Sequence, residues 1–430
     1  MARVRHPGTS EVGVAIALSL VLVVTFGSSP AFAAAGDLDT AFGEGGVVTT
    51  IFPVGSFATA VAIQVDGKIV AVGAAAGPST TGEFAVARYE PNGSLDPTFG
   101  DGGMVTTAIA GGAGDEARSV AIQDNGRIVV AGSDSWRRFA VVRYRPSGAL
   151  DDSFGGGDGV VRTNFTAGDD VAFDVAIQPD GKIVAVGAEG FGQVGFELAR
   201  YRRDGSLDPT FGEGGKVVTR YEGANARTVA IQPNGRILVA GYNTTGFAMA
   251  RYLPNGRLDR SFSGNGTIDH DFGTWNPLRN IFARAVALQP DGRIVVTGGF
   301  DIFNIGLARF RADGRLDRSF NGDGVMRTQV DGGEQGANGL VIQPDGRIVA
   351  TGYAGPHEGG DPTVFRFVLV RLLRDGHLDR TFGDHGKVAT FFDGGAFAYG
   401  AAADADGRIV VVGGAGEGNQ GSFALARYIV

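Results

Sequence analysis

The chain has 430 residues, no cysteine, 72 glycines and a formal net charge of −8. An acidic chain is a poor partner for nucleic acid, which asks for clustered Lys and Arg. The lack of cysteine excludes disulfide staples and a lipid-modified cysteine anchor, so stability must come from buried core, which a chain of this length is able to supply.

At the N-terminus, Arg3, Arg5 and His6 precede an apolar run from Val12 to Phe26 that is short for a membrane span, and Ala31-Phe32-Ala33 gives a small-x-small pattern. We read residues 1–33 as a signal peptide, with an uncleaved anchor as the alternative. The expected product is residues 34–430, a single domain that is secreted or cell-surface associated, with no stable membrane anchor after cleavage. Loss of Arg3, Arg5 and Glu11 makes it one unit more acidic than −8.

From Leu38 onward one unit of about 56 residues recurs. Leu-Asp-x-x-Phe begins at Leu38, Leu95, Leu150, Leu207, Leu258, Leu316 and Leu378. Gly followed by Lys or Arg and Ile falls at Gly67, Gly126, Gly181, Gly235, Gly292, Gly346 and Gly407, and an Arg closes an apolar alternation at Arg88, Arg143, Arg200, Arg251, Arg309, Arg371 and Arg427. Glycine, far above its usual ~7 %, thus sits at fixed turn positions instead of in a disordered linker.

Within one copy, four β-branched or alternating runs follow one another: 47–50, 60–64, 68–72 and 84–89. The middle pair is joined by Val65-Asp66-Gly67, or Pro179-Asp180-Gly181 in a later copy, residues suited to a tight hairpin. Large Val and Ile face one way and small Ala and Gly the other, the pattern of a sheet covered on both sides. These observations predict an all-β, seven-bladed β-propeller of four-stranded antiparallel blades. A parallel solenoid is the rival, but its coils are shorter and hold fewer antiparallel hairpins. The last copy stops at Val430 without its Leu-Asp-x-x-Phe partner, while Leu38 to Phe42 has no preceding strand, so the two termini should meet and close the ring.

The combined pattern Phe-x-x-x-Arg-Tyr-x-Pro-x-Gly-x-Leu-Asp-x-x-Phe-Gly, seen in Phe84 to Gly100, resembles the delta-60 repeat of secreted bacterial proteins. The resemblance covers essentially all of residues 34–430. It implies an exported repeat protein of propeller type and no defined reaction. Departures are Asp404 for the usual Gln, Leu372 for Tyr or Phe, and Ser263 for Gly.

The repeated Arg and Asp invite two readings, a charged ring along the channel or a salt bridge across each turn. A spacing of eight residues, as in Arg88 and Asp96, favours the bridge. Nucleophilic catalysis has little support, since there is no cysteine and no Gly-x-Ser-x-Gly elbow. His377 and His385 read as surface residues. Asp317, Asn321 and Asp323 have a faint calcium-loop look but lack the closing acidic ligand, and no cofactor is expected. Gly155 to Gly159 read as turns, since no phosphate-loop context follows.

Unrepeated residues lie in loops on one predicted face. They are Trp136 and Arg137; His270, Trp275, Asn276 and Arg279; and His357, Glu358 and Asp361. Variable loops on a rigid scaffold are where binding residues gather, and Trp and Arg are common anchors. The expected function is that of a monomeric, noncatalytic binding or scaffolding propeller for an extracellular carbohydrate, wall polymer or protein. A propeller enzyme such as a lactonase, glycosidase or quinone-dependent dehydrogenase is the alternative.

Overall fold

A computed structural model describes residues 33–77, 80–109, 114–135, 137–165, 169–189, 195–221, 223–270, 272, 282–301, 304–330, 332–356, 365–416 and 421–430. The β-branched runs form strands and the Gly-centred segments turns, so the described residues are all-β. They build seven antiparallel sheets of four strands each.

The first strand, β1 (Val47–Thr50), joins the last sheet. Blade one is β2 (Val54–Ile63), β3 (Ile69–Gly77), β4 (Thr80–Tyr89) and β5 (Met104–Thr107). Blade two is β6 (Glu116–Ile122), β7 (Ile128–Asp134), β8 (Arg138–Tyr144) and β9 (Val160–Thr163). Blade three is β10 (Asp170–Ile177), β11 (Ile183–Glu189), β12 (Gly195–Tyr201) and β13 (Lys216–Arg220). Blade four is β14 (Asn225–Ile231), β15 (Ile237–Asn243), β16 (Gly246–Tyr252) and β17 (Thr267–His270). Blade five is β18 (Phe282–Leu288), β19 (Ile294–Asp301), β20 (Asn304–Phe310) and β21 (Val325–Thr328). Blade six is β22 (Gln335–Ile342), β23 (Ile348–Ala354), β24 (Arg366–Leu372) and β25 (Lys387–Thr390). Blade seven is β26 (Ala396–Ala403), β27 (Ile409–Ala415) and β28 (Ser422–Tyr428), completed by β1. The first strand of each blade touches the first strand of the next all the way round, so these seven line the centre.

The termini close the ring as the sequence predicts. Strand β1 pairs with β28 from Val47↔Ala426 to Thr50↔Phe423, and Leu38 bridges Tyr428. The opening run of each repeat differs from expectation: it is the outermost strand of the preceding blade. The Leu-Asp-x-x-Phe segment therefore lies within a blade and does not cross between blades. The reason is local, because the Asp96 amide donates to the Arg88 carbonyl at 2.9 Å, folding the chain back so that Val105 pairs with Val86.

Blades nest large against small. Val410, Val412, Phe423 and Leu425 of blade seven pack on Ala71, Ala85 and Ala87 of blade one. Glycine makes the closest approach possible: a Cβ on Gly187 would sit 2.7 Å from Cζ of Phe139 in the preceding blade and 1.9 Å from the Val171 carbonyl oxygen.

The repeated arginines are the second fastening. The Nε of Arg88 donates to Oδ2 of Asp96 at 2.7 Å, and its guanidinium lies 4.6 Å from the centre of the Phe99 ring. In blade two, Nε of Arg143 donates to Asp151 at 2.8 Å, Nη2 donates to Ser153, and Nη1 reaches the Arg203 carbonyl in the next blade. At the closure Arg427 does the same with Asp39 of the N-terminal segment and the Pro91 carbonyl of blade one. The bridging reading of the Arg and Asp series holds, and Arg88, Arg143, Arg200, Arg251, Arg309 and Arg427 also tie their blades to the following ones.

Candidate functional site

Each central strand carries a β-bulge at the equivalent place, an extra residue that breaks the pairing register and re-aims a side chain, and β2 has a second shift between Val54 and Ser56. The equivalent shifts fall between Ala58 and Ala60, Ala117 and Ser119, Ala172 and Asp174, Ala226 and Thr228, Ala283 and Ala285, Ala337 and Gly339, and Ala398 and Gly400. The bulged residues are Thr59, Arg118, Phe173, Arg227, Arg284, Asn338 and Tyr399, and all seven line one cavity of about 220 Å³, together with Phe57 and Glu116. The bulges lie toward the strand starts, the end of the channel where the blade-to-blade crossings and third-to-fourth-run hairpins open.

The walls differ around the ring. Thr59 donates to the Ala117 carbonyl at 2.8 Å and Asn338 donates to the Ala398 carbonyl at 2.7 Å, each reaching sideways to the next central strand. Arg118 pairs with Glu116 at 2.8 Å. Phe173 is flanked by two guanidiniums, that of Arg227 at 3.8 Å and that of Arg118 at 5.0 Å from its ring centre. Arg227 also donates to the Tyr242 hydroxyl at 3.1 Å, which fixes its fork. Phe57 and Tyr399, with ring centres 6.3 Å apart, form an aromatic side of the wall.

Electrostatically the site runs against the acidic chain. Burial pulls the Arg118 guanidinium below its ordinary value, with Glu116 opposing and Arg227 adding to the fall. Burial and then the charge of Arg227 do the same to Arg284. Burial raises the Glu116 carboxyl although Arg118 works against it. Behind this ring the Asp174 carboxylate accepts from Ser119 Oγ at 2.6 Å and the Val229 amide at 2.8 Å, stitching β6, β10 and β14 together.

Of the residues singled out from the sequence, Arg137 is exposed in the hairpin between β7 and β8, where its carbonyl accepts from the Asp170 amide. His270 ends β17, half-buried, with Nδ1 accepting from the Phe272 amide at 2.8 Å. The two stand on blades that are not neighbours, and neither lines the channel cavity. Trp136, Trp275, Asn276, Arg279, His357, Glu358 and Asp361 lie outside the described residues. His377 and His385 are exposed. Asp317 is engaged by Arg309 and Arg293, and Asp323 accepts from the Val325 amide as a turn former. Among the described residues no group of three or more His, Cys, Asp or Glu is placed to hold a metal ion.

Sequence reasoning passed over the bulge ring because it sought variation in loops. A signal was present. In every repeat the residue five before the Gln of Gln64, Gln123, Gln178, Gln232, Gln289 and Gln343, or before Asp404, follows an Ala and differs from most of its counterparts.

Fold and site together define a seven-bladed β-propeller with an unrepeated lining in its channel. The chain belongs to the family described as "Domain of unknown function (DUF5122) beta-propeller", which matches residues 64–99, 123–154, 178–211, 232–262, 289–320, 343–382 and 405–428. No curated protein matches it in sequence. Among solved structures it is similar to a fungal alcohol oxidase of the AA5 family in complex with copper, at 16% identity and a TM-score of 0.47, covering 89% of this chain and 75% of that one. A protein of unknown function from Dyadobacter fermentans gives 14% identity and a TM-score of 0.43 over 90% of this chain and 99% of that one. The PQQ-bound aldose sugar dehydrogenase of Streptomyces coelicolor gives 13% and 0.41 over 72% and 94%. Likeness at this level carries no argument about activity.

Proposed function

We propose that this protein is a noncatalytic binding propeller of the delta-60 repeat type, exported from the cell and acting as a monomer on an extracellular carbohydrate, wall polymer or protein. One observation carries the reading. The repeated polar residues are spent on one another in turns and inter-blade ties, whereas the bulge residues, which vary from blade to blade, converge on one cavity. Of the residues singled out from the sequence, Arg137 and His270 lie toward the same end of the blades as the bulges. The test is an array of glycans, wall polymers and surface proteins probed with the purified protein. Binding that weakens in Arg227→Gln or in the double variant Trp136→Ala, Trp275→Ala supports the reading; no binding to any array member by a folded sample overturns it.

A catalytic reading has one observation in its favour, the raised Glu116 carboxyl beside Arg118 in the cavity. Hydrolysis of lactone or glycoside substrates that disappears in Glu116→Gln would establish it.

A further inference from the structure

We propose that the channel cavity is a site for a carboxylate carried on a sugar ring, a uronate-type residue, with Arg227 and Arg284 holding the carboxylate and Phe57 and Tyr399 facing the ring. The inference rests on the binding role proposed above and narrows its ligand class.

Charge is the first argument. The seven repeated arginines each have an aspartate, and Arg118 has Glu116. Arg227 and Arg284 have no carboxylate within ion-pair distance among the described residues, although the chain as a whole is acidic. Their charges repel one another inside the ring, and an arriving anion relieves that repulsion.

Geometry is the second. Stacking on Phe173 at 3.8 Å and the bond to Tyr242 at 3.1 Å hold the Arg227 fork in one orientation before any ligand binds. A planar guanidinium so held matches a carboxylate bidentately, with less freedom left to lose. Arg284 stacks on Phe282 at 4.5 Å and remains open to the channel.

Shape is the third. Phe57 and Tyr399 are each 37% exposed, and both line the cavity. The C–H face of a pyranose lies well on such rings, whereas a bare inorganic anion has no use for them. A volume of about 220 Å³ is below the ~300 Å³ lower bound of drug-sized pockets, so it suits one sugar residue or a chain end.

The experiment is calorimetric titration of the purified protein with trigalacturonate, maltotriose and inorganic phosphate at matched ionic strength. Trigalacturonate should bind and maltotriose should not. Arg227→Gln and Arg284→Gln should each weaken trigalacturonate binding at least tenfold while melting like the parent, and Arg315→Gln, an exposed turn residue on the opposite face, should leave it unchanged. Equal binding of maltotriose overturns the proposal, as does phosphate binding as tightly as trigalacturonate, which would mark a simple anion hole. Array binding that survives Arg284→Gln, with no response to trigalacturonate, overturns this inference and leaves the broader binding role standing.

Discussion

Glu197 offers a direct test of the blade energetics. It lies on β12 four residues before Tyr201, where the other blades place Ala85, Ala140, Ala248, Gly306, Val368 and Ala424. Its side chain is fully buried, and neither carboxyl oxygen has a hydrogen-bond partner among the described residues. Burial, then the charges of Asp170 and Glu189, push its pKa from 4.5 to about 8, with Lys216 pulling weakly the other way. An acid raised in this way is protonated in the folded protein and ionised in the unfolded chain between those two values. The Glu197 contribution is therefore intact below pH 4.5 and falls as pH rises toward 8, by about 1.4 kcal/mol per unit, or about 5 kcal/mol across the window. Glu197→Gln, which cannot ionise, should remove this slope. Urea unfolding from pH 5 to 8.5 should show the two proteins diverging, the variant gaining about 3 kcal/mol or more over the parent by the upper end. Parallel curves for the two proteins across that range would refute the reasoning.

The repeated ties, the blade contacts and the closure make further predictions. Burial by itself would raise the Asp208 carboxyl, but bonds from Thr210 and the charges of Arg200 and Lys182 hold it below its ordinary value. Asp208→Ala, which orphans buried Arg200, should lower urea-unfolding stability by about 3–5 kcal/mol; a change near zero would remove the structural role. Because the folded pKa is lowered, this contribution is present above the ordinary carboxylate value and lost as pH falls below it, so Asp208→Asn should show a flatter acid limb. Gly187→Ala should lose about 1–3 kcal/mol through its clash with Phe139 and the Val171 carbonyl, read as a lower denaturation midpoint. Deleting residues 34–46 takes away Asp39, Phe42 and the Leu38 bridge from blade seven, and the melting temperature should fall. An unchanged melting curve would mean that the ring closes without them.

Much of the architecture was legible because it is written seven times. Period, turn chemistry and the complementary ends gave the propeller, and the spacing of Arg88 and Asp96 gave the salt bridge, since these features depend on neighbours close in sequence. The assignment of Val47–Thr50 to blade seven was not legible, because a β-branched run pairs equally well on either side until the folded-back turn before it decides. Nor was the reach of Arg143 to the Arg203 carbonyl, which exists only once blades two and three are packed. The site shows the same division. Sequence variation pointed to loops and to Arg137 and His270, which tertiary structure sets on separate blades. Arg118, Arg227 and Arg284 stand far apart in the chain, on β6, β14 and β18. A bulge in each central strand turns them inward, and closure of the ring makes them neighbours: their proximity follows from the circle, and no single repeat contains it.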